Sequence, residues 1–125
     1  MRSSVVRWLL VVFWAGLIFF LSSIPSLESG FSLTWDVIAR KAAHALEYAV
    51  LAALLVRAFR RVTVASILVS GILAIVYAMS DEIHQLFVDG RSGTALDVFL
   101  DAIGAMCGLL VVWRWGRGRP NNKKP

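Results

Sequence analysis

DEIHQLFVDGRSGTALDVFLD, residues 81–101, lies between two long apolar runs and carries Asp81, Glu82, His84, Gln85, Asp89, Arg91, Asp97 and Asp101. Its middle, FVDGRSGT at 87–94, holds two turn dipeptides, Asp89-Gly90 and Ser92-Gly93, which leave Arg91 projecting from a tight loop. The stretch therefore reads as the end of one helix, a turn, and the start of the next. An ionisable residue at the centre of a membrane span costs roughly 2.5–3.5 kcal/mol on insertion scales, so such residues mark functional sites with partners.

Working outward, the runs on either side are of membrane grade. The chain of 125 residues is 58% hydrophobic, where soluble domains run at about 45–50%. The preceding run predicts a helix from about Val62 to Leu86. On it Tyr77, Asp81, His84 and Gln85 share one face, and Glu82 points about 100° away from Asp81. The following run predicts a helix from Ala95 to about Trp113. Asp97 and Asp101 share its outer part, and Gly104 and Gly108 continue that face as a GxxxG pair suited to close helix contact. Cys107, the only cysteine, sits in this run as a small packing residue.

Upstream, Val37 to about Phe59 predicts another helix, with Asp36 as its N-cap. Lys41, His44 and Tyr48 stack along one face of its outer half, with Arg40 and Glu47 beside them. Alanines at 42, 43, 45 and 49 are read as bundle-facing small residues. The first run, Trp8 to Ile24, is at the short end for a span. Arg2 and Arg7 would also suit the n-region of a signal peptide, but no clean A-x-A-like site follows and Pro25 interrupts the place for one, so a retained helix is expected. Phe31, Leu33 and Trp35 are expected in the membrane interface.

Charge fixes the orientation. The formal charge is +5, but all the basic residues except Arg40, Lys41 and Arg91 form three clusters, before the first run, at 57–61, and from Arg114 onward, and none of the eight acids lies among them. That is the pattern of cytoplasmic segments, and it argues against nucleic-acid binding. The expectation is an all-α polytopic bundle of four transmembrane helices with both termini cytoplasmic. It forms a single domain over 1–125, with a core at about 37–110 and a basic tail at 114–125. Every acid and both histidines then fall at the outer end.

The outer cluster admits several readings. A plain structural one is an ion-pair and hydrogen-bond network locking three helices together; Glu82, Asp89 and Asp36 are assigned to that role or to simple solvation, and His84 to the interface. The number of polar groups exceeds what adhesion needs, so a binding site is expected from Arg40, Lys41, His44, Glu47, Tyr48, Asp81, Glu82, Gln85, Arg91, Asp97 and Asp101. Three basic residues face five acids, so either a carboxyl carries a proton or a bound cation balances the charge. Two histidines with carboxylates suit Zn²⁺ or Mg²⁺. HExxH and ExxH are absent, however, and His44 and His84 lie on different helices, so no metal and no cofactor is expected. An enzymatic reading would use His44, Glu47 or Asp81 in acid/base roles on a lipid or isoprenoid head, with Lys41 and Arg91 holding a phosphate or carboxylate. Proton or ion passage is weaker, because the inner halves of the helices are apolar.

Three motifs carry a resemblance. K-x-x-H-x-x-E-Y (Lys41, His44, Glu47, Tyr48), D-E-x-x-Q-x-F (Asp81, Glu82, Gln85, Phe87), and R-x5-D-x3-D-x2-G-x3-G (Arg91, Asp97, Asp101, Gly104, Gly108) resemble the VanZ-like family over about residues 37–110. Asp101 stands where members often carry asparagine, which weighs against it as an acid. The resemblance implies a small multi-pass protein of the bacterial inner membrane. The family takes its name from a protein that lowers sensitivity to teicoplanin, a lipid-tailed glycopeptide. The implied partners are membrane lipids and a lipid-linked envelope molecule or lipoglycopeptide, and a mixed-charge outer-leaflet pocket would bind the polar head.

Overall fold

The computed structural model describes residues 2–25 and 33–117. It contains four helices: α1 (Arg2–Ser23), α2 (Leu33–Ala58), α3 (Val64–Gln85) and α4 (Ala95–Arg117). They run up and down, so that α1 and α3 point one way and α2 and α4 the other. Two contacts define the ends. Arg7 at the start of α1 donates to the Arg57 carbonyl at the end of α2 (3.4 Å), whereas Ser22 at the end of α1 meets Asp81 near the end of α3 (2.8 Å). One end of the bundle is thus basic and the other carries the polar cluster.

Three helices, α1, α3 and α4, contain apolar stretches of 21, 22 and 22 residues, each long enough to cross a bilayer. The packing is inverted relative to a soluble protein. Asp81, Glu82, Gln85, Asp101, Ser22 and Ser70 are buried, while Val12, Phe13, Phe20, Leu68, Ile72 and Met106 are exposed. In water such an apolar exterior would drive aggregation; in lipid it is the solvated face. The second helix belongs to the same design despite its charges. Ile38, Ala39, Ala42, Ala43 and Leu46 form its outward stripe, and the charged side chains of its first half turn toward the other helices or lie at their rim.

The core beneath the polar end is small. Leu51, Ala52, Leu55 and Val56 of α2 meet Ala74 and Ala78 of α3, Ala105 and Leu109 of α4, and Val11 and Ile18 of α1. The most extensive contact is between α2 and α4, which run parallel. Gly104 and Gly108 of α4 lie directly on the backbone of α2, where a Cβ would collide with the carbonyls of Ala45 and Ala49. So the expected GxxxG contact is present, and its partner is an alanine pair at the same spacing.

Several boundaries differ from expectation, each for a local reason. Residue 33 already belongs to α2, placing Asp36 in its first turn, where its charge complements the helix dipole, rather than at the cap. Thr63 caps α3 through a capping box with Ser66, so α3 begins two residues late. The tail is helical through Arg117. Ala42 and Ala43 face outward; only Ala45 and Ala49 serve the helix contact. Cys107 is exposed on the outside of α4 and is no packing residue. Of the interfacial trio, Trp35 is exposed, while Phe31 and the side chain of Leu33 lie outside the described residues.

Candidate functional site

The ends of α1 and α3 and the beginnings of α2 and α4 converge at the polar end, and the α3–α4 loop closes over them. His44 of α2 stands at the centre. Its Nδ1 lies 3.5 Å from Asp101 Oδ2 and 3.9 Å from Asp81 Oδ2, and its Nε2 lies 4.0 Å from Glu47 Oε2. On the Nε2 side stand Ser22 Oγ and Gln85 Nε2, each at 3.4 Å. One imidazole therefore faces three carboxyl groups contributed by α2, α3 and α4.

The surrounding hydrogen bonds tie the carboxyls down. Asp81 Oδ2 accepts from Ser22 Oγ (2.8 Å) and from Gln85 Nε2 (3.3 Å). The same amide donates to Glu82 Oε1 (3.4 Å), and Glu82 Oε2 accepts the Thr94 backbone N–H (3.3 Å). Glu82 is therefore buried inside the cluster, 5% exposed, in the hydrogen-bond network that was one of its two expected roles and not in solvent, the other. It points to the far side of α3 from the Tyr77 side chain, and α4 with its loop closes over that side. Lys41 pairs with Asp97, which also accepts from Thr94 Oγ1 (2.5 Å). Thr94 caps α4 by accepting the Asp97 N–H at 3.2 Å.

Arg91 does not project from the loop. Its side chain folds back, Nε donating to the Ile24 carbonyl (2.9 Å) and Nη2 to the Leu21 carbonyl (3.1 Å). Leu21 is in the last turn of α1 and Ile24 follows its end; the Leu21 carbonyl also accepts the Ile24 N–H (3.3 Å), and a cation is favoured at this terminus by the helix dipole. Burial first, and then the neighbouring Arg40, lower the guanidinium's pKa from its ordinary value, with Asp81, Glu47 and Glu82 opposing. An arginine remains a protonated donor throughout.

Between α2, α4 and the loop lies a cleft of about 120 Å³. Of the eleven expected binding residues, Arg40, Lys41, His44, Glu82, Gln85, Arg91, Asp97 and Asp101 line it. The other three, Glu47, Tyr48 and Asp81, sit beneath its floor. Glu47 Oε2, Tyr48 Oη and Asp81 Oδ1 are buried there without a hydrogen-bond partner among the described residues. Tyr48 is fully buried, its ring 6.1 Å from His44 and 6.3 Å from Tyr77, whose hydroxyl donates to the Ala15 carbonyl (2.6 Å). Of the three acid/base candidates, His44 alone reaches the cleft. His84 stands apart, stacked on Phe19 at 4.3 Å and 2.9 Å from Ser23 Oγ. Asp89 is exposed on the loop.

Sequence reasoning missed the contribution of α1. Ser22 is fully buried against Asp81 and His44, and Trp14 Nε1 donates to the Glu47 carbonyl (2.9 Å). The available signal was a serine pair at the same end of the bundle as the acids, which reads equally well as the polar end of a span.

A family model described as VanZ/LLP1 matches residues 7–116. That range takes in α1 as well as the three motif-bearing helices. No curated protein and no solved structure matches the chain.

Proposed function

The chain belongs to the VanZ/LLP1 family, and from that premise we propose that it spans the bacterial inner membrane four times and binds the polar head of an amphiphile at its outer face. Both termini are then cytoplasmic. Support for the orientation comes from the basic end, where Arg7, Arg57, Arg60 and Arg61 gather with no acid among the described residues there. Support for α2 as the fourth span comes from its apolar outward stripe and its 26 residues, about 39 Å of helix.

The observation that carries the reading is the cleft's position. Lys41 lies about 24 Å along α2 from Arg57, so in a hydrocarbon core about 30 Å thick the cleft opens just below the outer headgroups. A head entering it meets cationic groups at the rim and carboxylates and an imidazole beneath, while its tail lies along Ile38, Ala42 and Leu46. Ion passage is less well supported. Below Tyr48 the described interior is lined mainly by Leu51, Ala52, Leu55, Ala74 and Leu109, and the buried hydroxyls of Ser66 and Ser70 there do not make a continuous polar path for a moving ion.

Native mass spectrometry of the protein extracted from membranes tests the reading directly. One amphiphile per chain is expected to co-purify, and Lys41→Gln with Arg40→Gln should weaken its retention by about tenfold, or about 1.4 kcal/mol. A protein that emerges lipid-free, or retains lipid equally after both changes, would sink the proposal. Teicoplanin-type lipoglycopeptides have the same tail-and-head design, so a link to resistance is tested by susceptibility with and without the gene; equal susceptibility removes it. An enzymatic role for the same site predicts that His44→Ala abolishes headgroup turnover while amphiphile retention persists. A deletion strain whose lipids match those of the wild type excludes that role.

A further inference from the structure

We infer that the cleft holds one divalent transition-metal ion, of the Zn²⁺ or Mn²⁺ kind, on His44, Glu82 and Asp101. The sequence offers no metal motif because the ligands come from three helices, α2, α3 and α4, and converge only in the folded bundle. One donor atom from each of the three residues lies within 4.8 Å of the other two. Donors about 2.0–2.2 Å from a tetrahedral ion stand about 3.4 Å apart, and the His44–Asp101 pair is already at 3.5 Å. A Glu82 oxygen completes the set within the same 4.8 Å limit.

A second observation points to a ligand. Asp81 is 2% exposed and faces the same imidazole, with Oδ2 3.9 Å from His44 Nδ1, and its Oδ1 has no partner among the described residues. It stands beside the three-residue set, against its imidazole, as a carboxyl with one oxygen open to a further partner. Charge points the same way. Four carboxyl groups, of Glu47, Asp81, Glu82 and Asp101, lie around one imidazole, while Lys41 is paired with Asp97, Arg91 is hydrogen-bonded to backbone carbonyls at the end of α1, and Arg40 adds one further cation to the cleft lining. Buried carboxylates need a compensating charge in a low-dielectric interior, and a dication placed among these groups supplies it. One imidazole with two or three carboxylates suits Zn²⁺ or Mn²⁺ better than Ca²⁺, which takes six to eight oxygens.

The inference deepens the proposed function and rests on that reading only for its role: the ion would add a positive charge inside the cleft to those that Arg40 and Lys41 hold at its rim. The experiment separates the two. Full-length protein carrying a histidine-free tag is stripped with chelator, equilibrated with Mn²⁺ or Zn²⁺, and passed over a desalting column. The expected result is one ion per chain, a higher unfolding midpoint, and for Mn²⁺ an electron spin-echo modulation from a single nitrogen, that of His44. Glu82→Gln and Asp101→Asn are each expected to weaken binding at least tenfold at unchanged helical content, while Asp89→Asn on the exposed loop leaves it unchanged. No bound ion in the wild type, an ion without nitrogen coupling, or equal affinity in folded Glu82→Gln and Asp101→Asn variants overturns the inference. Should either variant fail to fold, stoichiometry and nitrogen coupling in the wild type decide. Dodecyl phosphate serves as the head probe. Its binding to ion-free protein that takes up no metal leaves the proposed function standing and removes the ion; ion uptake without dodecyl phosphate binding does the reverse.

Discussion

Gly104→Leu is expected to prevent the native bundle from forming. At this position even a Cβ would sit inside the Ala45 carbonyl of α2, so the new side chain has no rotamer that avoids the neighbouring backbone. The two helices must separate along the contact that also sets Lys41 against Asp97 and His44 against Asp101. Overpacking of a tight core costs about 1–3 kcal/mol and more where backbone must move, and a loss of about 3 kcal/mol or above is a large share of a small protein's stability. Gly108→Leu meets the Ala49 carbonyl in the same way. The natural control is Gly16→Leu, since nothing lies within 4 Å of a Cβ built on the exposed Gly16 of α1. Unfolding midpoints in mild detergent check the contrast. A Gly104→Leu protein as stable as Gly16→Leu would show that α2 and α4 do not pack backbone to backbone.

Arg91→Met is the second large effect. The arginine makes two hydrogen bonds to α1 carbonyls, at 2.9 and 3.1 Å, and is the only described side chain of the α3–α4 loop seen to reach α1. Hydrogen bonds from a charged donor contribute roughly 1.5–3 kcal/mol each, and partial exposure places the expected total near 2–3 kcal/mol. The loss should be local as well as global, because Ser22 lies one residue beyond the Leu21 carbonyl. Ser22→Cys in a Cys107→Ser background provides a buried reporter thiol. Its reaction with a water-soluble maleimide should accelerate at least tenfold when Arg91→Met is added, and Arg91→Lys should fall between. If the labelling rate and the unfolding midpoint both stay at their Arg91 values, the residue does not hold α1 in place.

Much of this arrangement was legible in the sequence. Apolar runs, basic clusters and helical spacing located four helices and the end at which the acids gather, because period and charge are local properties. The motif residues Lys41, His44, Asp97 and Asp101 were expected near one another, and the structure brings them together. What stayed hidden depends on helix rotation and on groups that carry no charge. Ala42, Ala43, Ala45 and Ala49 are alike as letters, and only the direction of α4 decides which two face it. Glu82 was assigned to the hydrogen-bond network or to solvation, and its rotation relative to Asp81 could not decide between them; both are buried because α3 is enclosed from two sides, by α1 with α2 and by α4 with the loop. Arg91 was read as a ligand-holding residue since a loop arginine has no visible partner in sequence. Its partners are backbone carbonyls, which every residue possesses and no sequence pattern marks.

The inward turn of α2's charges also bears on how the protein is made. On its own in lipid, α2 would expose Asp36, Arg40, Lys41 and Glu47; a charge at a span's centre adds roughly 2.5–3.5 kcal/mol to the cost of insertion, and of these four Glu47 lies there, the others nearer the outer end. The groups that meet these charges arrive later in synthesis, Arg91 and Asp97 about fifty residues after Lys41. On the proposed four-span topology, biogenesis is expected to run against the order of the chain, with α2 held beside the insertion machinery until α3 and α4 emerge. A nascent chain ended after Arg61, carrying a glycosylation tag inserted between residues 25 and 33, should fail to hold α2 across the membrane, whereas the chain extended through α4 succeeds. Equal spanning by both would mean that α2 enters lipid alone.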